Sequence, residues 1–297
     1  MSSSLTASDL RTAAPALDLT EYCAPGCHIL EEMLAISDRV SLRVITFTPP
    51  VKTTNPPVLF IPGWISRLDS WVHALREMTR DHKVYYVDSR EKVTSVVSGR
   101  VEYGVAAIAR DIVRLVDRFG LTADNYLLFG SSLGATAILE SCRDLNQRPL
   151  ALILVGPNAV FHSPWWGGLL IRIFPPRLYL IMKPFLKWYL RNFRVDAQAD
   201  PVQYQKYCAN LDDADPYKLK QAARELIKYE IWDTLPGVTL PVLIFGAESD
   251  KLHDPGNIAK MIPLLSRCSY IDMGTNTRTH SGDMVVEMRK FLADLAA

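Results

Sequence analysis

The run Tyr126–Leu139 (YLLFGSSLGATAIL) places Gly130-Ser131-Ser132-Leu133-Gly134 between an apolar strand and a helix. The chain reverses sharply there, and a nucleophile at such a turn needs small residues two before and two after it, because the two arms pass close. Gly130 and Gly134 frame Ser132 in that way. Ser131 is excluded by register, since its equivalent neighbours are Phe129 and Leu133. At the helix N-terminus, backbone N–H groups point toward negative charge developing on a carbonyl under attack. The pentapeptide alone is a weak pattern, and an ordinary turn serine is the competing reading; the strand-turn-helix context is what gives it weight. Other chemistries lack their residues. No H-E-x-x-H, G-x-x-x-x-G-K-[ST] or G-x-G-x-x-G occurs, so neither metal nor cofactor is expected. The five cysteines have neither disulfide-framework nor zinc spacing.

From about residue 40 onward the chain resembles the α/β-hydrolase fold superfamily, in which nucleophile, acid and histidine follow in that order. The resemblance implies the remaining roles. Asp250, in Gly246-Ala247-Glu248-Ser249-Asp250 after the strand PVLIF, matches the acid, with Asp254 as a rival. His280 closes the loop Gly274–His280 ahead of the final helix and matches the base, with His253 and His162 as rivals. A serine hydroxyl is a poor nucleophile until a base removes its proton, as His280 would do, while Asp250 would hold the imidazole tautomer. The oxyanion would receive the backbone N–H of Leu133 and that of Trp64, in Phe60-Ile61-Pro62-Gly63-Trp64. Relatives usually carry His where this chain has Pro62. They also carry Asp-x-Arg-Gly-x-Gly-x-Ser where this chain reads Asp88-Ser89-Arg90-Glu91-Lys92-Val93-Thr94-Ser95. Both glycines of that motif are gone, and no catalytic role is assigned to the loop. A serine nucleophile also excludes the dehalogenase and epoxide-hydrolase chemistries of this fold, which need a carboxylate.

These residues require elements that present them together. Apolar runs at 41–47, 58–61, 83–87, 126–129, 150–155, 242–245 and 269–272 predict strands, with helical periods between them. Short apolar strands alternating with helices argue for an α/β fold, a mostly parallel sheet covered on both faces. Residues 1–38 are Ser/Ala/Thr-rich and are expected to form an N-terminal arm; residues 39–157 and 237–297 make the core. The 86 residues between Val155 and Val242 far exceed the roughly 15–25 of a single crossover helix. The excess, residues 158–236, is expected to be a helical cap over the nucleophile.

With 33 Lys+Arg against 32 Asp+Glu, the chain has no global field to hold a polyanion, so nucleic-acid binding is not expected. The charge is unevenly spread. Residues 161–194 hold six Lys/Arg and no acid, together with Trp165, Trp166 and Trp188. Projected at helical spacing, Lys183, Lys187, Arg191 and Arg194 form one basic stripe, with Phe185, Leu186, Tyr189, Leu190 and Phe193 opposite. Such a helix could meet an anionic membrane peripherally or simply pack on the core with its cations solvated. Trp64, Trp165 and Trp166 are expected to line an apolar substrate pocket. Asp9, Arg11 and Asp18 interrupt any apolar run in the first 20 residues, and a cytoplasmic location is expected. The expected activity is a cofactor-free serine hydrolase acting on a carboxylic ester or thioester with a hydrophobic part. Acyl transfer, amide or peptide cleavage, and ligand binding without turnover on the same fold remain open.

Overall fold

The computed structural model describes residues 17–161, 167–195, 197–198, 200–250, 253 and 255–296. Its strands in chain order are β1 (His28–Ser37), β2 (Val40–Thr48), β3 (Val58–Ile61), β4 (Val84–Asp88), β5 (Val96–Val97), β6 (Leu127–Ser131), β7 (Ala151–Val155), β8 (Val242–Gly246) and β9 (Cys268–Asp272). They form one sheet in the order β1-β2-β4-β3-β6-β7-β8-β9, with β5 against β2. Pairing is antiparallel from β1 to β4 and parallel from β4 through β3 to β9.

Every residue of β3, β4, β6, β7 and β8 is buried, as expected for strands covered on both faces. Side chains alternate between two cores. Phe60, Phe129 and Phe245 pack with Trp71 and with the helices α1 (Val72–Met78) and, near the C-terminus, Gly282–Ala296. Leu59, Leu128 and Ile244 face α2 (Val105–Arg118) and α3 (Leu133–Ser141).

The seven strands expected from the sequence form to within two residues of their expected bounds. The edge differs. Residues 28–37, expected to belong to the arm, are strand β1. Only Leu34 of β1 is buried, so this edge strand lacks the unbroken apolar run that betrays the strands elsewhere.

Between β7 and β8 come α4 (Gly167–Ile173), α5 (Leu178–Tyr189), α6 (Pro201–Asp213) and α7 (Pro216–Leu226), followed after β8 by α8 (Pro255–Met261) and, after β9, by α9 (Gly282–Ala296). The base of the insertion is closed by a bridge between Val160 and Glu230 and by the Ile231 N–H donating to Ala159 O at 3.0 Å. Helix α7 is fastened to the core in two places. Glu225 Oε2 accepts the Gly104 and Tyr103 N–H groups at 2.7 and 3.1 Å, which satisfies donors at the start of α2. Lys218 Nζ donates to Lys92 O and Ser95 O, each at 2.6 Å.

The basic stripe is not simply solvated. Lys183 Nζ donates to Asp212 O at 2.6 Å and Lys187 Nζ to Asp212 Oδ2 at 2.7 Å, so two of its cations bind α6. Phe185, Trp188 and Phe193 of the same segment face outward instead, 54, 52 and 60% exposed. Among the described residues, no helix is long and apolar enough to cross a membrane.

Candidate active site

Ser132 leaves β6 with φ 47° and ψ −116°, a conformation that costs a non-glycine residue roughly 1–3 kcal/mol and persists only where its surroundings impose it. Those surroundings explain both glycines. A Cβ on Gly134 would be driven into the Ile61 carbonyl oxygen, and one on Gly130 would lie 2.6 Å from Ile138 Cδ1 and 2.8 Å from Ala135 N. The Ser132 N–H is held by Val155 O at 2.8 Å, and its Oγ accepts a hydrogen bond from Asn158 Nδ2 at 2.8 Å. Ser131 ends β6 as a buried residue.

Asp250 follows β8 and is 5% exposed. Its Oδ2 meets His253 Nδ1 at 2.9 Å and accepts from Asn276 Nδ2 at 2.6 Å. His280 ends a short 3-10 turn, Arg278–His280, after β9. Its Nδ1 lies 3.0 Å from Asn276 O, and its ring is 4.0 Å from that of Trp71. Donation of Nδ1–H to this carbonyl leaves Nε2 as the lone-pair nitrogen of the neutral ring. Asn276 thus joins acid and imidazole, accepting from His280 through its backbone and donating to Asp250 through its side chain. Burial and the nearby Lys206 cation hold the His280 pKa well below the ordinary imidazole value, against the opposing pull of the Asn276 hydrogen bond.

The loop after β3 carries Gly63-Trp64-Ile65-Ser66. Here the substituted loop 88–95 has a visible job. Lys92, 6% exposed, turns its ammonium inward and donates to Gly63 O and, at 2.7 Å, to Ser66 O. Burial lowers its pKa while the neighbouring Glu91 carboxylate, 3.8 Å away, raises it. The three residues that match the family motif brace the same loop: Ser95 Oγ donates to Asp88 O at 2.7 Å, and Arg90 Nε to Asp111 Oδ2 at 2.7 Å. Leu133 opens α3, where a helix leaves N–H groups without intrahelical acceptors.

Ser132, Trp64, His253 and His280 line one cavity of about 710 Å³, roofed by residues of α4, α6 and α7 such as Ile171, Lys206 and Leu226. Of the residues expected from the sequence, Ser132, Trp64 and His280 meet at this cavity, and the pairing differs from the expected one: the histidine bonded directly to Asp250 is His253, and His280 reaches it through Asn276. Asn158, Asn276, Lys92 and Lys206 were not anticipated. Trp165, Trp166, His162 and Asp254 lie outside the described residues.

The profile of the Alpha/beta hydrolase family matches residues 58–281. N-formylmaleamate deformylase from Pseudomonas putida is 24% identical over 233 residues, covering 72% of this chain and 80% of that protein. Among solved structures, a hydrolase from Pseudomonas aeruginosa superposes with a TM-score of 0.72 at 16% identity, covering 90% of this chain and 98% of that one. An esterase from Thermogutta terrifontis gives 0.66 at 20% identity, with 91% and 100% covered. The enol-lactonase from Burkholderia xenovorans gives 0.70 at 13% identity, with 88% and 98% covered.

Proposed function

We propose, from the premise that this chain belongs to the alpha/beta hydrolase family, that it is a cofactor-free serine hydrolase cleaving a carboxylic ester or thioester with a hydrophobic part. The observation that carries this reading is Ser132 itself, held at φ 47° between two obligatory glycines, at a helix N-terminus and on the wall of a cavity. In the proposed mechanism His280 Nε2 takes the Ser132 proton as Oγ bonds to the substrate carbonyl carbon. The Leu133 and Trp64 backbone N–H groups receive the oxyanion. Collapse breaks the bond to the leaving alcohol or thiol, which takes the proton from His280. Water, deprotonated by the same imidazole, then bonds to the acyl carbon; the C–Oγ bond breaks, Ser132 Oγ takes the proton back from His280, and the acid is released. Asp250 acts through Asn276 to orient the ring and offset its transient charge. The helical insertion serves as a lid whose apolar wall receives the acyl or alcohol chain. A fluorophosphonate is expected to label the wild-type protein on Ser132 and to leave Ser132→Ala unlabelled; labelling that survives the substitution would refute the assignment.

The proposed location is the cytoplasm, which five cysteines without a disulfide among them support. Peripheral membrane contact is a separate proposal. It now rests less on cations than on the outward aromatic face of residues 185–193, because Lys183 and Lys187 are engaged by Asp212. The protein is therefore expected to sediment with lipid vesicles, and Phe185→Asp with Trp188→Asp to lower the bound fraction at least about tenfold, at roughly 0.8 kcal/mol per lost CH₂ equivalent. Absence of wild-type protein from the vesicle pellet would remove the idea.

A further inference from the structure

The cavity contains polar groups that an ester with only hydrocarbon on either side would leave stranded. Lys206, on α6, lines the wall beside Ser132, Trp64 and His280. Its Nζ stands 5.8 Å from the centroid of the Trp71 ring, whose plane also packs against His280. Among the described residues, no hydrogen bond or ion pair engages this ammonium. The carboxylates of Asp250, Asp200 and Asp69 act on it only at a distance, and burial pushes its pKa down to about 7 despite them. One helical turn further along α6, on the same face, stands Asn210, 2% exposed, with its Oδ1 lacking a partner. The indole Nε1–H of Trp64, another residue of the cavity lining, is likewise buried without an acceptor. An ammonium that meets only the face of the Trp71 ring and an unspent indole donor beside the nucleophile form an incomplete set, since charges and donors withdrawn from water are stable when something accepts from them.

We propose that the natural substrate carries a carboxylate on the part enclosed by the cavity, received by the Lys206 ammonium and the Trp64 indole N–H. The Asn210 side-chain amide, which can present either its oxygen or its nitrogen by a half-turn, completes the ring of polar contacts. The carboxylate is a bystander to the bond changes: it fixes the distance from the anion to the scissile carbonyl and so selects the chain that fits. Lys206 is on this account a specificity-determining residue contributed by the lid. The inference rests on the serine-hydrolase reading for the position of the scissile bond, but not for the binding of the anion.

The two can be tested apart. In the kinetic arm, the p-nitrophenyl monoester of glutaric acid is compared with p-nitrophenyl pentanoate, which replaces the free carboxylate by a methyl group. The ratio of their kcat/KM values is expected to fall about tenfold or more in Lys206→Met and to recover largely in Lys206→Arg, as suits a hydrogen bond to a charged group. An unchanged ratio overturns the proposal. In the binding arm, calorimetry on Ser132→Ala uses pentanoate against pentanamide. Tighter binding of pentanoate, lost when Lys206→Met is added, supports it; equal binding of the two, or no binding of pentanoate, overturns it. Lys206-dependent pentanoate binding without fluorophosphonate labelling would sink the hydrolase reading and leave the anion site standing. The reverse pattern would do the opposite.

Discussion

His280→Ala is expected to lower kcat by about 10⁴-fold or more, the scale on which loss of one member of a nucleophile–base pair acts, while His253→Ala costs about tenfold or less. The argument is one of tautomer and charge. With Nδ1–H committed to Asn276 O at 3.0 Å, the neutral His280 ring offers Nε2 as its base. Burial and Lys206 keep it neutral well below the usual imidazole pKa, so the working form extends to lower pH than a free histidine would allow. Protonation removes the base, and the acid limb of kcat/KM is accordingly expected below pH 6.5, the ordinary imidazole value. His253 has the rival credential, a direct contact to Asp250 at 2.9 Å. Stopped-flow measurement of p-nitrophenol release by the two alanine variants decides between them. Collapse of activity in His253→Ala with only a mild loss in His280→Ala would move the base to His253.

The second large effect is expected at Lys92. Replacing it by Met removes the ammonium that holds Gly63 O and Ser66 O, and so frees the loop that carries the proposed Trp64 donor. Loss of an oxyanion donor costs about 10²–10³-fold in kcat. Because the donor meets charge only in the transition state, KM should change little. The single substitution also strands the buried Glu91 carboxylate, at about 3–5 kcal/mol of stability. The pair Glu91→Gln with Lys92→Met removes both charges and is expected to regain most of the lost thermal stability but not the lost kcat. A pair that regains both would mean that Lys92 serves stability alone.

Much of this could be seen in the sequence because it is local. Gly130 and Gly134 are dictated by the turn that Ser132 occupies, and the turn depends on contacts with neighbouring strands and helix. The buried strands announce themselves by unbroken apolar runs. β1 does not, because ten residues with one buried side chain carry no period. The order Ser132, Asp250, His280 follows from the topology of the chain, whereas the partner each side chain takes depends on where Asn276 and His253 stand in space. Nothing in PVQYQKYCANLDD marks Lys206 as the residue that turns into a cavity. The helical projection grouped Lys183 with Lys187 correctly but could not foresee that Asp212, on another helix, would engage both. The missing glycines at 91 and 93 marked a departure in the loop; the use to which Lys92 puts that departure is a tertiary fact.

The loop 88–95 is gripped from two sides. Lys218 of α7 holds the carbonyls of Lys92 and Ser95, while the side chain of Lys92 holds those of Gly63 and Ser66. A single strut therefore runs from the insertion to the turn beside Ser132. Helical insertions over a sheet are ordinarily exchangeable parts, open to being lengthened, shortened or traded for another while the catalytic floor stays intact. Here a traded insertion would arrive without Lys218 and loosen the floor as it changed the ceiling. New substrate ranges are then reached more readily by single replacements inside the existing helices than by recombination of whole segments.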